Sequence, residues 1–274
     1  MFHYTNLYAL RSIVENKKIR MTDYRFLNDS DEYKKGIYFF CKAFEDFDEY
    51  PSDCPFELKE SIKTALFVLN ENGLGGGFFE RSIFVSSFSK SRDSLSQWRN
   101  YGLYSIEFDC ELLCSEKNHP NLTAFMHCYY YHSEVDGVGH ARSKISKDIV
   151  PYLISYSAKN SNFGIESLII DLIISYSLCF KHAAFKYEDE VRLVSLIYLE
   201  GYSGVLFRER GDILIPYVEL SFKSSAIKGI MLGPSDNQDL AFISLSAFSQ
   251  LVNSQRESEL YDITVDRSKL PYRG

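Results

Sequence analysis

The sequence predicts an α+β fold, a single domain (residues 1–274) whose mixed β core carries helical insertions at about 33–80 and 140–182. Three observations predict it. Short runs that alternate apolar and polar residues, or are apolar throughout, recur from one end of the chain to the other. Segments with apolar residues every three or four positions interrupt them in two blocks. The 274 residues contain no internal repeat, low-complexity tract or Pro/Gly/Ser-rich linker at which to divide them. One domain of this length removes about three quarters of its unfolded surface from water, enough for a large core.

Residues 2–5 read as a short strand, followed by Leu7, Leu10, Ile13 and Val14 at helical spacing, with Thr5 or Asn6 as N-cap. Lys17 and Lys18 suit the helix end, 19–22 alternates as a strand, and 23–32 is a polar turn. Helices are expected over 33–47 and 56–70, separated by a turn rich in Pro and Asp at 51–55. The glycines of 73–77 lack the Gly-Lys-Ser/Thr ending of a phosphate-binding loop. Next come a buried strand at 82–89, a short helix at 95–101, a strand at 104–108 and extended chain at 129–132. A polar stretch at 140–147 precedes helices that end near Lys181. Strands follow at 191–199, 214–222 and 227–232, the last broken by Gly233-Pro234. An amphipathic helix over 240–254 and a short strand at 261–265 complete the pattern.

Thirty basic against 37 acidic side chains give a net charge of −7. A protein that coats nucleic acid needs clustered Lys and Arg to displace counterions, so this balance argues against that class while leaving room for a local basic groove. Six cysteines without a Cys-x-x-Cys pair read as reduced thiols, and the first residues show no apolar leader, so a cytoplasmic location is expected. The most apolar stretch, 165–180, contains Glu166 and Asp171 and is shorter than the ~20 residues a bilayer requires, so no membrane partner is expected.

Three segments place polar groups where the pattern would otherwise be apolar. In His3-Tyr4-Thr5 a strand-end histidine can donate to a ligand hydroxyl while the backbone holds an amide; a surface histidine is the alternative. In Ser86-Ser87-Phe88-Ser89, alternation sets Ser87 and Ser89 on one face and Phe88 on the other. Beyond it, Gln97-Trp98-Arg99-Asn100-Tyr101-Gly102 offers Arg99 for a phosphate and Tyr101 for stacking, or else a packed Trp98 with Arg99 in solvent. In Glu188-Asp189-Glu190-Val191-Arg192 the period of two sets Glu188, Glu190 and Arg192 on one face, as ionised acceptors or as a structural ion-pair set. The acidic segment 28–32 lacks EF-hand spacing, the histidines have no ligand spacing beside cysteines, and no Gly-x-Ser-x-Gly elbow occurs. No metal is expected.

The opening Tyr4 to Leu10, Phe26-Leu27-Asn28-Asp29-Ser30-Asp31-Glu32, Ser86-Ser87-Phe88-Ser89 with Gln97 to Gly102, Phe185 to Arg192 and Ile227 to Pro234 together make the chain resemble a bacterial domain-of-unknown-function family, number twenty-nine seventy-one. A more distant resemblance implies chemistry. His3-Tyr4-Thr5 leading into a helix, the Ser87-Phe88-Ser89 strand and Glu188-Asp189-Glu190 resemble, in that order, the three motifs of ADP-ribosyltransferases. The resemblance implies an ADP-ribosyltransferase-like core that consumes NAD. His3 would hold the adenosine ribose, backbone near Thr5 the nicotinamide amide, and Tyr24, Tyr101 or Phe88 would stack on the ring. Ser87 would line the NAD site, Glu190 would be catalytic and Glu188 would orient the acceptor, a protein or a nucleic acid. The role implied is a bacterial toxin or phage-defence effector, with a neighbouring regulatory or antitoxin protein as partner. The helical segments before Ser82 have no counterpart in that family. Two other classes stay open: a non-catalytic nucleotide-sensing or partner-binding module, and a metal-dependent nuclease using Asp29, Asp31, Glu188 and Glu190.

Overall fold

The computed structural model describes residues 1–27, 30–72, 81–114, 122–160, 164–198, 204–256 and 261–271. The first third forms β1 (Phe2–Thr5), α1 (Leu7–Asn16), β2 (Lys18–Asp23), α2 (Ser30–Glu45), α3 (Phe56–Asn72) and β3 (Arg81–Ser89). Next come α4 (Leu95–Tyr101), β4 (Tyr104–Phe108), α5 (Cys110–Leu113), β5 (Leu122–His127), β6 (Tyr129–Tyr131) and α6 (Glu134–Lys144). After α7 (Val150–Ser157), α8 (Ile165–Ser177) and β7 (Phe180–His182), the chain returns to strands: β8 (Glu190–Tyr198), β9 (Leu206–Arg210), β10 (Ile213–Ser221) and β11 (Ile227–Leu232). It ends in α9 (Gln238–Ser254) and β12 (Thr264–Arg267).

Ten of these strands make one mixed sheet in the order β12-β11-β4-β1-β3-β2-β10-β9, with β8 also on β3 and β5 outside β8. Strand β3 is the hub. Along one edge β8 pairs with it from Arg81 to Ser89. On the other edge β2 pairs at Phe84 and Val85, and β1 pairs at Ser89. Between those two pairings Ser86, Ser87 and Phe88 have no strand partner on that edge among the described residues. The sheet forks there.

Alternation explains why β3 can be a hub: it buries side chains on both faces. Ile83 and Val85 enter a core with Phe39, Phe40, Leu58, Ile62 and Ile169 of the helical insertions. Phe84 and Phe88 enter a second core with Leu10, Ile19, Ile106 and Leu245, under α1 and α9. Each such fully buried side chain contributes about 1.5–3 kcal/mol. No helix among the described residues is long and apolar enough to cross a membrane.

The expected helices and strands at 95–101, 104–108 and 227–232 are found with the bounds read from the pattern. Asn6 rather than Thr5 caps α1, accepting from the Ala9 N–H at 2.9 Å. Several expectations need correction. The supposed polar stretch 140–147 is helical, because α6 continues through a π turn (Ile145–Ile149) into α7. Its charges lie on an outer face, Arg142 reaching Glu49 at 2.8 Å and Lys144 reaching Asp148 at 2.7 Å, while Ala141, Ile145 and Ile149 are buried. Strands β5, β7 and β9 were not anticipated: α8 ends at Ser177 rather than near Lys181, and Phe180–His182 is a strand; β12 starts three residues later than expected. The glycines of 73–77 lie outside the described residues.

Helices α2 and α8 cross at Gly36, where a Cβ would collide with the Ser177 main chain. Gly36→Ala is expected to destabilise the fold by about 1–3 kcal/mol, overpacking outweighing the ~1 kcal/mol gain in helix propensity. Urea denaturation should show a lower midpoint at constant slope; an unchanged midpoint would show that the crossing yields.

Candidate functional site

The fork opens a cleft of about 540 Å³. Six of the seven residues singled out from the sequence line it: His3, Thr5, Ser87, Tyr101, Glu188 and Glu190. Arg99 does not. On the short helix α4, Gln97 and Tyr101 are one turn apart and share the cleft face, which turns Arg99 outward into solvent. Trp98 is a packed anchor, its ring 4.5 Å from that of Tyr4 and its N–H donating to Asp93 at 2.8 Å.

Half-buried His3 sits at the fork with Nδ1 3.0 Å from the Ser87 carbonyl and its ring against Phe88. Burial lowers its pKa and the Ser87 contact opposes that only in part, so the ring is neutral at pH 7. A carbonyl can only accept, so the single N–H lies on Nδ1 and Nε2 is left as an acceptor. His3 Nε2 can thus accept a hydrogen bond but not donate one, the reverse of the donor role expected from the sequence. In a strand the N–H and C=O of one residue point to the same edge, so the Ser87 N–H faces the fork as well.

Thr5 is buried and held against α4's end by Gly102, whose φ of 122° and close approach to the Thr5 carbonyl, 2.6 Å from a Cβ position, admit no side chain. Of the three aromatic residues named for stacking, Tyr24 is packed on Tyr33 outside the cleft, and Phe88 borders the cleft but is buried in the second core. Tyr101, 41% exposed, presents its ring to the opening.

Glu188 closes a 3-10 turn (Ala183–Glu188), and Asp189 adopts a left-handed φ of 44° before β8 begins at Glu190. The two glutamates thus do not share a strand face, as their spacing suggested. They converge by another route: Lys181 Nζ lies 2.5 Å from Glu188 and 2.7 Å from Glu190. Arg192 reaches the other Glu190 oxygen at 2.8 Å and Glu32 at 3.3 Å, and also donates to the Leu178 carbonyl. Tyr130 Oη accepts from the Glu190 N–H at 2.7 Å, and Ser89 Oγ donates to the Glu188 carbonyl at 2.6 Å. Among the described residues Lys181 bridges Glu188 and Glu190, and Arg192 bridges Glu190 and Glu32. Burial pushes the Glu190 pKa up, but Arg192 and Lys181 pull it further down, to about 2. Burial also raises the Cys179 thiol beside it to about 12, which keeps it protonated.

An ionised carboxylate has about four lone-pair sites, and Arg192 and Lys181 account for three contacts on Glu190. One site on Oε1 can accept a ligand hydroxyl. Sequence reasoning missed Lys181, Glu32, Gln97 and Asn100, and the cleft arginines Arg20, Arg208 and Arg210. The one legible signal was a lysine directly following the most apolar stretch of the chain.

No group of three or more His, Cys, Asp or Glu side chains among the described residues is arranged to hold a metal. Asp29 lies outside the described residues. No family model, curated protein or solved structure matches this chain.

A carboxyl whose pKa falls from 4.5 to about 2 on folding stabilises the fold fully above its ordinary value, and that stabilisation is lost as pH falls towards 2. Glu190→Gln is expected to cost on the order of 3 kcal/mol at pH 7. Its deficit against wild type should hold constant above about pH 5 and shrink towards pH 2. Urea titrations across that range would contradict the ion-pair assignment if the deficit did not change with pH.

Proposed function

We propose that the protein is an NAD-consuming transferase of the ADP-ribosyltransferase type, acting in the cytoplasm on a protein or nucleic-acid acceptor as a bacterial toxin or phage-defence effector. The observation that carries this is the fork, which sets His3 Nε2, the Ser87 backbone and an ionised Glu190 around one cleft. A cleft of about 540 Å³ falls within the range of small-molecule sites. All six cysteines are free thiols, as suits a reducing compartment.

In this reading His3 accepts from the adenosine ribose, backbone groups near Thr5 and Ser87 hold the carboxamide, and Tyr101 stacks on the nicotinamide. As the C1′–N bond lengthens, positive charge develops on the ribose and nicotinamide leaves with the bonding electrons. The Glu190 carboxylate, kept ionised by Lys181 and Arg192, favours that state, because it is fixed in place before the reaction. Glu188, which lines the same cleft, orients the acceptor in this reading.

A second reading, a nucleotide-sensing module without turnover, is favoured by one observation: both Glu190 oxygens already hold a cation. The metal-dependent nuclease has no such support among the described residues.

Nicotinamide release separates the two. Wild type is expected to release it from NAD, and Glu190→Gln to fall by about 100-fold or more under conditions where the variant is folded, as removing a charge-stabilising group does. His3→Ala should raise the KM for NAD about tenfold, the loss of roughly 1.4 kcal/mol of binding. NAD binding without release by wild type would favour the sensing module.

A further inference from the structure

The arginines of the cleft have no part in that scheme. The register between β2, β10 and β9 sets Arg20 opposite Glu219, Arg208 opposite Ile215 and Arg210 opposite Ile213, all on one face. The charged residues of these three strands on that face are Lys18, Arg20, Arg208 and Arg210 against Glu219, a local excess of three positive charges in a chain of net charge −7. Glu219 is shared between Lys18 at 3.0 Å and Arg20 at 3.6 Å. Beneath them Ile215 and Tyr217 are buried, with the Arg20 guanidinium 4.8 Å over the Tyr217 ring. Burial first, and then the charges of Arg210 and Arg20, lower the pKa of Arg208. Like charges gathered over an apolar floor repel one another, and a bound anion would relieve that repulsion.

We propose that Arg208 and Arg210 hold backbone phosphates of a single-stranded nucleic acid, the acceptor of the transfer; this rests on the transferase reading of the cleft. Strand spacing decides which phosphate each arginine meets. Arg20 on β2, the cleft arginine nearer Glu190 in the strand order, is assigned to the diphosphate of a dinucleotide whose ribose sits at Glu190. Arg208 and Arg210 on β9 lie two paired strands beyond Arg20, roughly 10 Å further out, and meet a second phosphate-bearing molecule. A cleft of about 540 Å³ holds a few nucleotides of an unpaired strand rather than a stretch of duplex.

The test is fluorescence anisotropy of the intact protein with short fluorescein-labelled oligothymidylate and oligouridylate across a salt series. Wild type should bind one or both, with log K falling linearly in log salt. Arg208→Ala with Arg210→Ala should lower that slope by about 1.4, the value for two single-strand phosphate contacts, and weaken binding about tenfold at low salt. Arg208→Lys with Arg210→Lys should keep the slope. The proposal is overturned if neither oligonucleotide binds, or if the double alanine variant binds as wild type does. It is also overturned if that variant instead loses a labelled oligoglutamate peptide, or loses NAD with oligonucleotide binding unmoved. Nicotinamide release is read on the same preparation. Its absence alongside oligonucleotide binding overturns the transferase reading but leaves the phosphate contacts standing; its presence without oligonucleotide binding overturns the arginine assignment alone.

Discussion

The carboxylate of Glu190, buried between Lys181 and Arg192, ties the sheet, the helical insertions and the cleft together. Arg192 reaches from β8 to the Leu178 carbonyl after α8 and to Glu32 on α2, so one guanidinium joins the central sheet to two insertion helices. Lys181 brings the small β6–β7 ribbon to the same point. Taking several ions out of water costs several kcal/mol each, and apolar side chains of similar volume would stabilise the fold at least as well. What the network supplies that a greasy core cannot is a carboxylate kept ionised at the wall of a sheltered cleft. Burial alone would neutralise it.

The cleft exists because β1 and β2 share one edge of β3 without meeting. Strand β3 can serve both because it sends Ile83 and Val85 into one core and Phe84 and Phe88 into the other. At Ser87 the helical layer stops short and the side chain is half-buried. Ser87, unlike the buried Ser82, Ser86 and Ser89, marks where that covering ends. One end of the cleft is acidic and the other basic, a division that follows from strand order alone.

Elements were legible in the sequence where burial imposes a period. The strand at 104–108 and the helix at 95–101 read cleanly because each has a fully packed face, Ile106 and Phe108 in one case and Trp98 in the other. Where burial is partial the period fades. Leu206-Phe207-Arg208-Glu209-Arg210 is an edge strand exposed along most of its length, and its pattern says only that Arg208 and Arg210 share a side. The charged outer face of α6 likewise looked like a loop, since its apolar positions fall only every fourth residue. Much of the site was visible residue by residue: His3, Ser87 and Glu190 were marked by polar side chains in apolar strands. Their partners were not. Lys181 and Glu32 meet Glu188, Glu190 and Arg192 only through tertiary packing, and nothing in local spacing announces that Asp189 turns left-handed and swings Glu188 off the strand.

The central claim is that the fork of the sheet is the nucleotide site. Amide hydrogen exchange followed by mass spectrometry, with and without NAD, tests it most directly. Slower exchange in the peptides carrying His3 to Asn6 and Ser86 to Phe88 on adding NAD, with the α6–α7 segment unchanged, is the predicted result. No change at the fork, or protection confined to the helical insertions, would contradict it.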